Sequence, residues 1–412
     1  MPSRRIFLKN SALAMMGVGS VPTWLGRALY AQNAPAERKK ILIAIFQRGA
    51  VDGLNVVVPH GEPAYYALRP SIAIPRPDGR ETGAIDLNGY FGLNPALKSL
   101  KPLWDKKQLA IIEAVGSPDP TRSHFDAQDY MESGTPGLKA TYDGWLNRSL
   151  PKEVKPSPLR AVSVTTDLPR TMRGANDALA IANLNDFQVK DPKASATFEG
   201  MYGTSTDTVL NGTGKETFEA IRIVQGIQKV PYAPMNGSRY PKGRLGQSLQ
   251  QIARIIRAGV GLEVAFTDVG GWDTHVNEVG QQPHLGQLAN LLTDFGDALA
   301  AFSQDMGDRM ADITVVTMSE FGRTAKENGD RGTDHGHANV MFAMGGSVRG
   351  GQIYGEWPGL KPQELYEGRD LNVTTDFRTV LSEVVSCQMG NRDLTHIFPG
   401  FSGPASKGIL SA

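Results

Sequence analysis

Carboxylates, imidazoles and small hydroxyl residues gather at five places along this 412-residue chain. Asp52 stands in Gly49-Ala50-Val51-Asp52-Gly53, and Arg122, Ser123 and His124 follow Thr121. Asp273 and His275 belong to Gly270-Gly271-Trp272-Asp273-Thr274-His275, while Glu320 and Arg323 lie in Ser319-Glu320-Phe321-Gly322-Arg323-Thr324. The last place is Gly332-Thr333-Asp334-His335-Gly336-His337. Four of the seven histidines fall in these clusters; His60, His284 and His396 lack such company and read as structural. Asp-x-His and Asp-His-x-His, on loops freed by glycine, supply the ligand types that zinc and similar divalent ions prefer. Asp273, His275, Asp334, His335 and His337 are therefore candidate ligands, with Asp52 and Glu320 as further carboxylates. Two ions about 4 Å apart would form the clamp used in phosphate-ester hydrolysis.

Ser123 is the candidate nucleophile. It precedes Phe125-Asp126-Ala127-Gln128-Asp129-Tyr130-Met131-Glu132, which reads as a helix, so its oxygen would lie where a helix N-terminus favours an oxyanion. A nearby cation would lower the hydroxyl pKa. Arg122 and Arg323 can hold anionic substrate oxygens bidentately. Each residue also has a plainer role. Ser123 can be an ordinary N-cap, Asp52-Gly53 a turn, Asp273-Thr274 a loop cap, and His337 a partner for a carbonyl. Glu320 can pair with Arg323. What favours a site is the coincidence of all five clusters.

The elements between them make that coincidence physical. Ile41–Phe46 is a continuous apolar run, the pattern of a strand covered on both faces. Similar runs recur at Leu109–Val115, Ala161–Val164, Leu262–Phe266, Ile313–Met318 and Val340–Met344. Helical patterns lie at 215–229, 243–258, 284–306 and 374–388, and Asn94-Pro95 supplies an N-cap and a first-turn proline for another. This alternation predicts an α/β fold, with a mainly parallel central sheet and helices on both faces. Ligands of such sheets bind beyond the carboxyl ends of the strands. Four clusters follow a strand directly, and the fifth leads into the strand at Val340. The segment Gly351–Trp357 reads as an edge strand or part of an interface.

Composition excludes several classes. The net charge is +1, which offers no grip on nucleic acid. No G-x-G-x-x-G follows the first strand, and no phosphate-loop lysine motif occurs, so nicotinamide and flavin chemistry are disfavoured. The single cysteine, Cys387, can form no internal disulfide and reads as a small core residue. Ser3-Arg4-Arg5-Ile6-Phe7-Leu8-Lys9 and the short Gly-containing apolar stretch to Leu25 read as a twin-arginine export signal ending near Ala31. The predicted organisation is signal 1–31, linker 32–40 and a single α/β domain over 41–412 with an insertion near 183–240. The expected location is the periplasm or another exported site, the twin-arginine translocase a partner, and no membrane span is expected.

At these residues the chain resembles the domain-of-unknown-function 1501 family of exported bacterial proteins. The stretches that carry the resemblance are Gly49-Ala50-Val51-Asp52-Gly53-Leu54-Asn55 with Tyr65 and Arg69-Pro70, then Arg122-Ser123-His124-Phe125, Gly271-Trp272-Asp273-Thr274-His275, Ser319-Glu320-Phe321-Gly322-Arg323-Thr324 and Gly332-Thr333-Asp334-His335-Gly336. More remotely it is similar to the alkaline phosphatase and sulfatase superfamily. That resemblance implies Asp52 as an early metal-binding aspartate, Ser123 as nucleophile, Asp273 and His275 as a metal pair, Glu320 as a strand-end ligand and His335 as a late one. The histidine that the superfamily sets beside the strand-end ligand is Phe321 here, so a second metal site lacks a ligand.

Together these readings predict an exported metal-dependent hydrolase of phosphate or sulfate esters, using one or two divalent ions (zinc, manganese or calcium). The alternative is a non-catalytic cell-envelope protein that binds an anionic polymer or a partner with a degenerate hydrolase-like site. A structural partner for a co-exported protein is a third reading.

Overall fold

Apolar runs with no polar alternation require cover on both faces, and the central sheet has it. The computed structural model describes residues 38–153, 156–187, 208–404 and 406–411, with side chains from 217 onward in the helix that begins at 208. The predicted export signal, most of the predicted linker, and part of the 183–240 stretch lie outside the described residues. The strands are β1 (Ile41–Gln47), β2 (Val57–Val58), β3 (Ile85–Asp86), β4 (Gly92–Leu93), β5 (Leu109–Gly116), β6 (Ala161–Ser163) and β7 (Leu179–Ala180). They continue with β8 (Val264–Val269), β9 (Ile313–Met318), β10 (Asn339–Gly345), β11 (Ile353–Tyr354) and β12 (Thr375–Asp376). Nine of these form one sheet in the order β11-β5-β10-β9-β1-β8-β6-β7, with β12 also on β5; β2, β4 and β3 make a small antiparallel sheet.

Direction within the large sheet is what matters for a site. β1 runs parallel to both β8 and β9, and β6 runs parallel to β8 and β7. β10 is antiparallel to both β9 and β5, which makes β5 parallel to β9. The carboxyl ends of β1, β5, β8 and β9 therefore share an edge. Because β10 alone is reversed, the loop entering it reaches the same edge.

The principal helices are α1 (His124–Ser133), α2 (Thr208–Gln228), α3 (Arg244–Ala258), α4 (Gln287–Met306) and α5 (Phe377–Gln388). Along β1 the side chains alternate between two cores. Ile41, Ile43 and Ile45 pack with Leu249, Ile252, Leu292 and Phe295 of α3 and α4. Leu42, Ala44 and Phe46 pack with Phe377, Val380, Leu381 and Val384 of α5. The result is a three-layer α/β arrangement whose sheet is mostly parallel. Burying an isoleucine or phenylalanine side chain this way contributes roughly 1.5–3 kcal/mol, so the strand edge that carries the polar loops is held rigidly.

The expected elements lie close to their predicted bounds, except that the helix read over 215–229 begins at Thr208. Asn94 caps its helix through a bond from Ala96 N, although the first turn is a 3-10 helix that continues as α-helix from Lys101. The Gly351–Trp357 segment contributes the edge strand β11. Cys387 is half-buried against the α5 core, and burial raises its thiol pKa. Among the described residues no helix is long and apolar enough to cross a membrane.

Candidate metal centre

Three histidines from three different segments converge at the shared edge. His124 opens α1, His275 follows β8, and His335 lies in the loop entering β10. The Nε2 atoms of His124 and His335 are 3.0 Å apart, as are those of His275 and His335. Asp273 closes the group. Its Oδ1 lies 3.0 Å from His275 Nε2 and 3.3 Å from His335 Nε2, and its Oδ2 is 3.4 Å from His124 Nε2. His124, Asp273 and His335 each place a ligand atom within 4.8 Å of the others. His275 lies outside this set of three and approaches only His335 and Asp273.

The other nitrogen of each ring is already committed. His335 Nδ1 faces the carbonyl of Arg122 at 2.9 Å, and a carbonyl can only accept, so this nitrogen carries the proton. Burial lowers the His335 pKa and keeps the ring neutral, leaving a bare lone pair on Nε2. His124 Nδ1 meets Glu320 Oε1 at 2.8 Å, and His275 Nδ1 meets Asp334 Oδ1 at 3.0 Å. An acceptor behind each imidazole, with Nε2 turned inward, is the outer-shell pattern of metal-binding histidine. Two bare Nε2 atoms at 3.0 Å repel unless a proton or a cation lies between them. Ligands at about 2.0–2.2 Å from a tetrahedral ion stand roughly 3.3–3.6 Å apart, close to the spacings observed here. The donor set fits a divalent metal.

The charges around the group are tuned by named contacts. The hydrogen bond to Glu320 is the main cause that raises the His124 pKa, against burial. Burial of Glu320 works to raise its own pKa, but bonds from His124, Gln128 and the Gly49 N–H hold it below the usual value. Asp273 is likewise lowered against burial, through Arg323 first, and Asp334 through His275.

Close backbone approach explains the glycines of the motifs. A Cβ on Gly49, at φ +115°, would meet Asp273 N at 2.7 Å, and one on Gly332 would meet His275 O at 2.2 Å. Arg323, fully buried, stitches the same loops together. Its Nε donates to Ala50 O, Nη1 to Thr333 O, and Nη2 to Gly49 O, Trp272 O and Asp273 Oδ1. The structure thus gives this guanidinium to the protein's own carbonyls.

The other sequence candidates fall in different surroundings. Ser123 is the N-cap of α1, between Arg122 and His124, and its side chain makes no capping bond. Arg122 pairs with Asp370 and Glu367. Asp334 sits behind His275, and Glu320 behind His124. Asp52 is not brought to the imidazoles; both its oxygens accept from Arg69, at 2.5 and 2.9 Å. His337 is buried, directs Nε2 to Ser117 O and packs on Tyr366. Phe321 lies beside both His124 and His335, with ring centroids 4.9 and 5.1 Å away. His124 itself was not among the ligands expected from sequence. The available signal was the spacing of His124, Gln128 and Glu132, which lines one face of α1; Gln128 Nε2 donates to Glu320 Oε1, and Arg48 donates to both Gln128 and Glu132.

A mostly parallel α/β sheet with a histidine-and-aspartate cluster at its carboxyl edge defines the class of scaffold. The chain matches the family model described as "Protein of unknown function (DUF1501)" over residues 104–393, and it belongs to that family. Among solved structures it is similar to a sulfatase from Pseudoalteromonas sp., at 12% identity and TM-score 0.39, covering 95% of this chain and 76% of that one. It is also similar to the C-terminal periplasmic domain of EcEptC from Escherichia coli in complex with Zn, at 10% identity and TM-score 0.34, covering 75% and 73%. A third is the phosphonate monoester hydrolase of Silicibacter pomeroyi, at 9% identity and TM-score 0.33, covering 85% and 73%. No curated protein sequence matches the chain.

Proposed function

We propose that this protein is an exported metal-dependent hydrolase of phosphate or sulfate esters. The observation that carries the reading is the inward convergence of three Nε2 atoms and the Asp273 carboxylate, each imidazole backed by its own acceptor. His124, His335 and Asp273 would hold the ion, with His275, beside His335 and Asp273, as a further ligand. A nitrogen-rich set suits zinc better than manganese or calcium, which prefer oxygen ligands. When bound, such a cation supplies Lewis acidity toward an ester oxygen.

The chain's own groups supply the rest. The Ser123 hydroxyl is free of capping duty and next to His124 in the chain, so it would attack the phosphorus or sulfur centre. The ester's alcohol would leave with the serine proton, and water would then release phosphate or sulfate and restore the hydroxyl. The ten-residue α1 starts there, and its first N–H groups favour the negative charge that develops. Asp334, Glu320 and the Arg122 carbonyl orient the imidazoles, and Arg323 fixes the Asp273 carboxylate. The Arg4-Arg5 motif supports passage through the twin-arginine translocase, which would carry the folded protein with its ion already chosen.

The reading is tested by metal analysis of purified protein and by hydrolysis of 4-nitrophenyl phosphate and 4-nitrophenyl sulfate. About one equivalent of ion is expected, with hydrolysis abolished in Ser123→Ala and retained metal. Absence of stoichiometric metal, together with inertness to both esters, sinks it. One observation favours a second reading, a metal-holding envelope protein that binds without turnover: Arg122 and Arg323 are both occupied by protein partners. Under that reading the ion is present and Ser123→Ala changes nothing.

A further inference from the structure

We propose that Glu278, which no motif singles out, is the positioning residue that holds the His275 and His335 loops in register; this deepens the metal-centre reading and rests on it. Glu278 is fully buried, at 0% exposure. Its Oε2 accepts hydroxyl bonds from Thr274, at 3.1 Å, and from Thr333, at 2.9 Å. Thr274 lies between Asp273 and His275. Thr333 precedes Asp334 and His335. One oxygen therefore ties together the two loops that deliver two imidazoles and two carboxylates to the cluster.

The backbone reinforces this tie. Glu278 N donates to Arg331 O at 3.0 Å, and Thr333 N donates to Thr274 O at 3.2 Å. Gly332 packs against the Thr274-His275 peptide with no room for a Cβ. The contact is close, and Glu278 Oε2 lies within hydrogen-bond reach of both threonine hydroxyls.

What Glu278 rests on is equally specific. Its Oε1 accepts from Asn55 Nδ2 at 3.2 Å, and the carboxyl is hydrogen-bonded to Asp52. Asp52 is clamped bidentately by Arg69, whose Nε and Nη2 also donate to the carbonyls of Ala325 and Thr324. Tyr65 Oη donates to Asn55 Oδ1 at 2.6 Å. Burial first, and then Asp52, push the Glu278 pKa well above the usual carboxylate range. This gives Asp52, Asn55, Tyr65 and Arg69 a joint purpose: they form the buried floor under the metal loops. A neutral carboxyl also avoids burying a second negative charge beside Asp52.

The test compares Glu278→Ala, Glu278→Gln and the double variant Thr274→Val/Thr333→Val. Hydrogen exchange of the loops at 271–278 and 328–337 is measured on metal-free protein, and the zinc dissociation constant by chelator competition. Glutamine keeps an acceptor oxygen for the threonines and a donor for Asp52, losing only the Asn55 bond. It is expected to retain loop protection and zinc affinity within a few-fold. Alanine is expected to lose protection in both loops and to weaken zinc by about 10–100-fold, the usual effect of outer-shell changes. The double valine variant should do the same while leaving Glu278 in place, and it serves if alanine fails to fold. Unchanged exchange and affinity in alanine or in the valine pair overturns the proposal, as does a glutamine variant as impaired as alanine. If no variant nor the parent binds zinc, the zinc-centre reading fails, while the exchange comparison still decides the role of Glu278.

Discussion

Glu320 Oε1 accepts from His124 Nδ1 at 2.8 Å across 196 residues of sequence, and Glu320 is wholly buried while His124 reaches solvent. The same oxygen accepts from Gln128 Nε2 and Gly49 N, both at 2.8 Å. A buried anion thus orients a half-exposed imidazole and makes its Nε2 more basic.

Removing that charge while keeping the shape is the direct test. Glu320→Gln should weaken zinc binding by about tenfold, with the His124 pKa falling because its main raising partner is neutral. Chelator competition and histidine NMR titration read the two effects. A variant with unchanged affinity and an unchanged His124 titration would show that Glu320 only fills space.

Much of this arrangement was legible in the chain. Ile41–Phe46 and Ile313–Met318 lack polar alternation, which dictates burial on both faces, and the loops after them carry Asp52 and Glu320. What pattern cannot give is the partner of a carboxylate. Asp52-Gly53 and Asp273-Thr274 look alike as short turns. Yet Asp52 faces Arg69 in a closed interior, whereas Asp273 faces three imidazoles at the rim. The local sequence is silent because the choice is made by strand order, which sets β8 and β9 on either side of β1. His124 escaped for the same reason: its acceptor is set by packing of α1 on the sheet edge, not by neighbours in sequence. The reversal of β10, which turns the His335 loop toward the others, follows from pairing with β5 and β9 and leaves no local mark.

Acid and base should act in opposite senses on two buried carboxyls. Glu113, inside β5, is buried with Oε1 lacking a partner among the described residues, and burial raises its pKa well above 4.5. Between the ordinary carboxylate value and the raised one, the folded protein keeps a proton that the unfolded chain has lost. Stability from this site is therefore full at low pH and declines as pH rises through that window. Glu320 behaves inversely, since its folded pKa is lowered: its contribution is present above 4.5 and is lost as pH falls. The stability difference between Glu113→Gln and the parent, from denaturant unfolding, should grow in the variant's favour as pH rises. A pH-independent difference would refute this assignment.

Arg323→Lys removes a planar fork that serves five acceptors in three loops, and a single ammonium cannot replace it. Leaving buried carbonyls unpaired costs about 1–3 kcal/mol each, so a loss of at least about 3 kcal/mol is expected in chemical denaturation. A change under about 1 kcal/mol would mean that water replaces the fork without penalty.

Gly332 offers the sharpest separation of site from scaffold. A Cβ there would stand 2.2 Å from His275 O, 2.4 Å from His275 C and 2.6 Å from Thr274 O, all of them backbone atoms that cannot swing aside. Gly332→Ala must push the His275 segment away from the His335 loop, at about 1–3 kcal/mol of strain. Gly329, three residues earlier, has nothing within 4 Å of the place a Cβ would take, and it supplies the control. Gly332→Ala should lower both stability and zinc affinity, whereas Gly329→Ala should leave both near the parent. Because the two substitutions share a loop, equal effects from both would trace the loss to loop stiffness and not to the contact with His275. A Gly332→Ala protein that binds zinc as the parent does would show that the cluster tolerates movement of His275, and would remove that residue from the set of ligands.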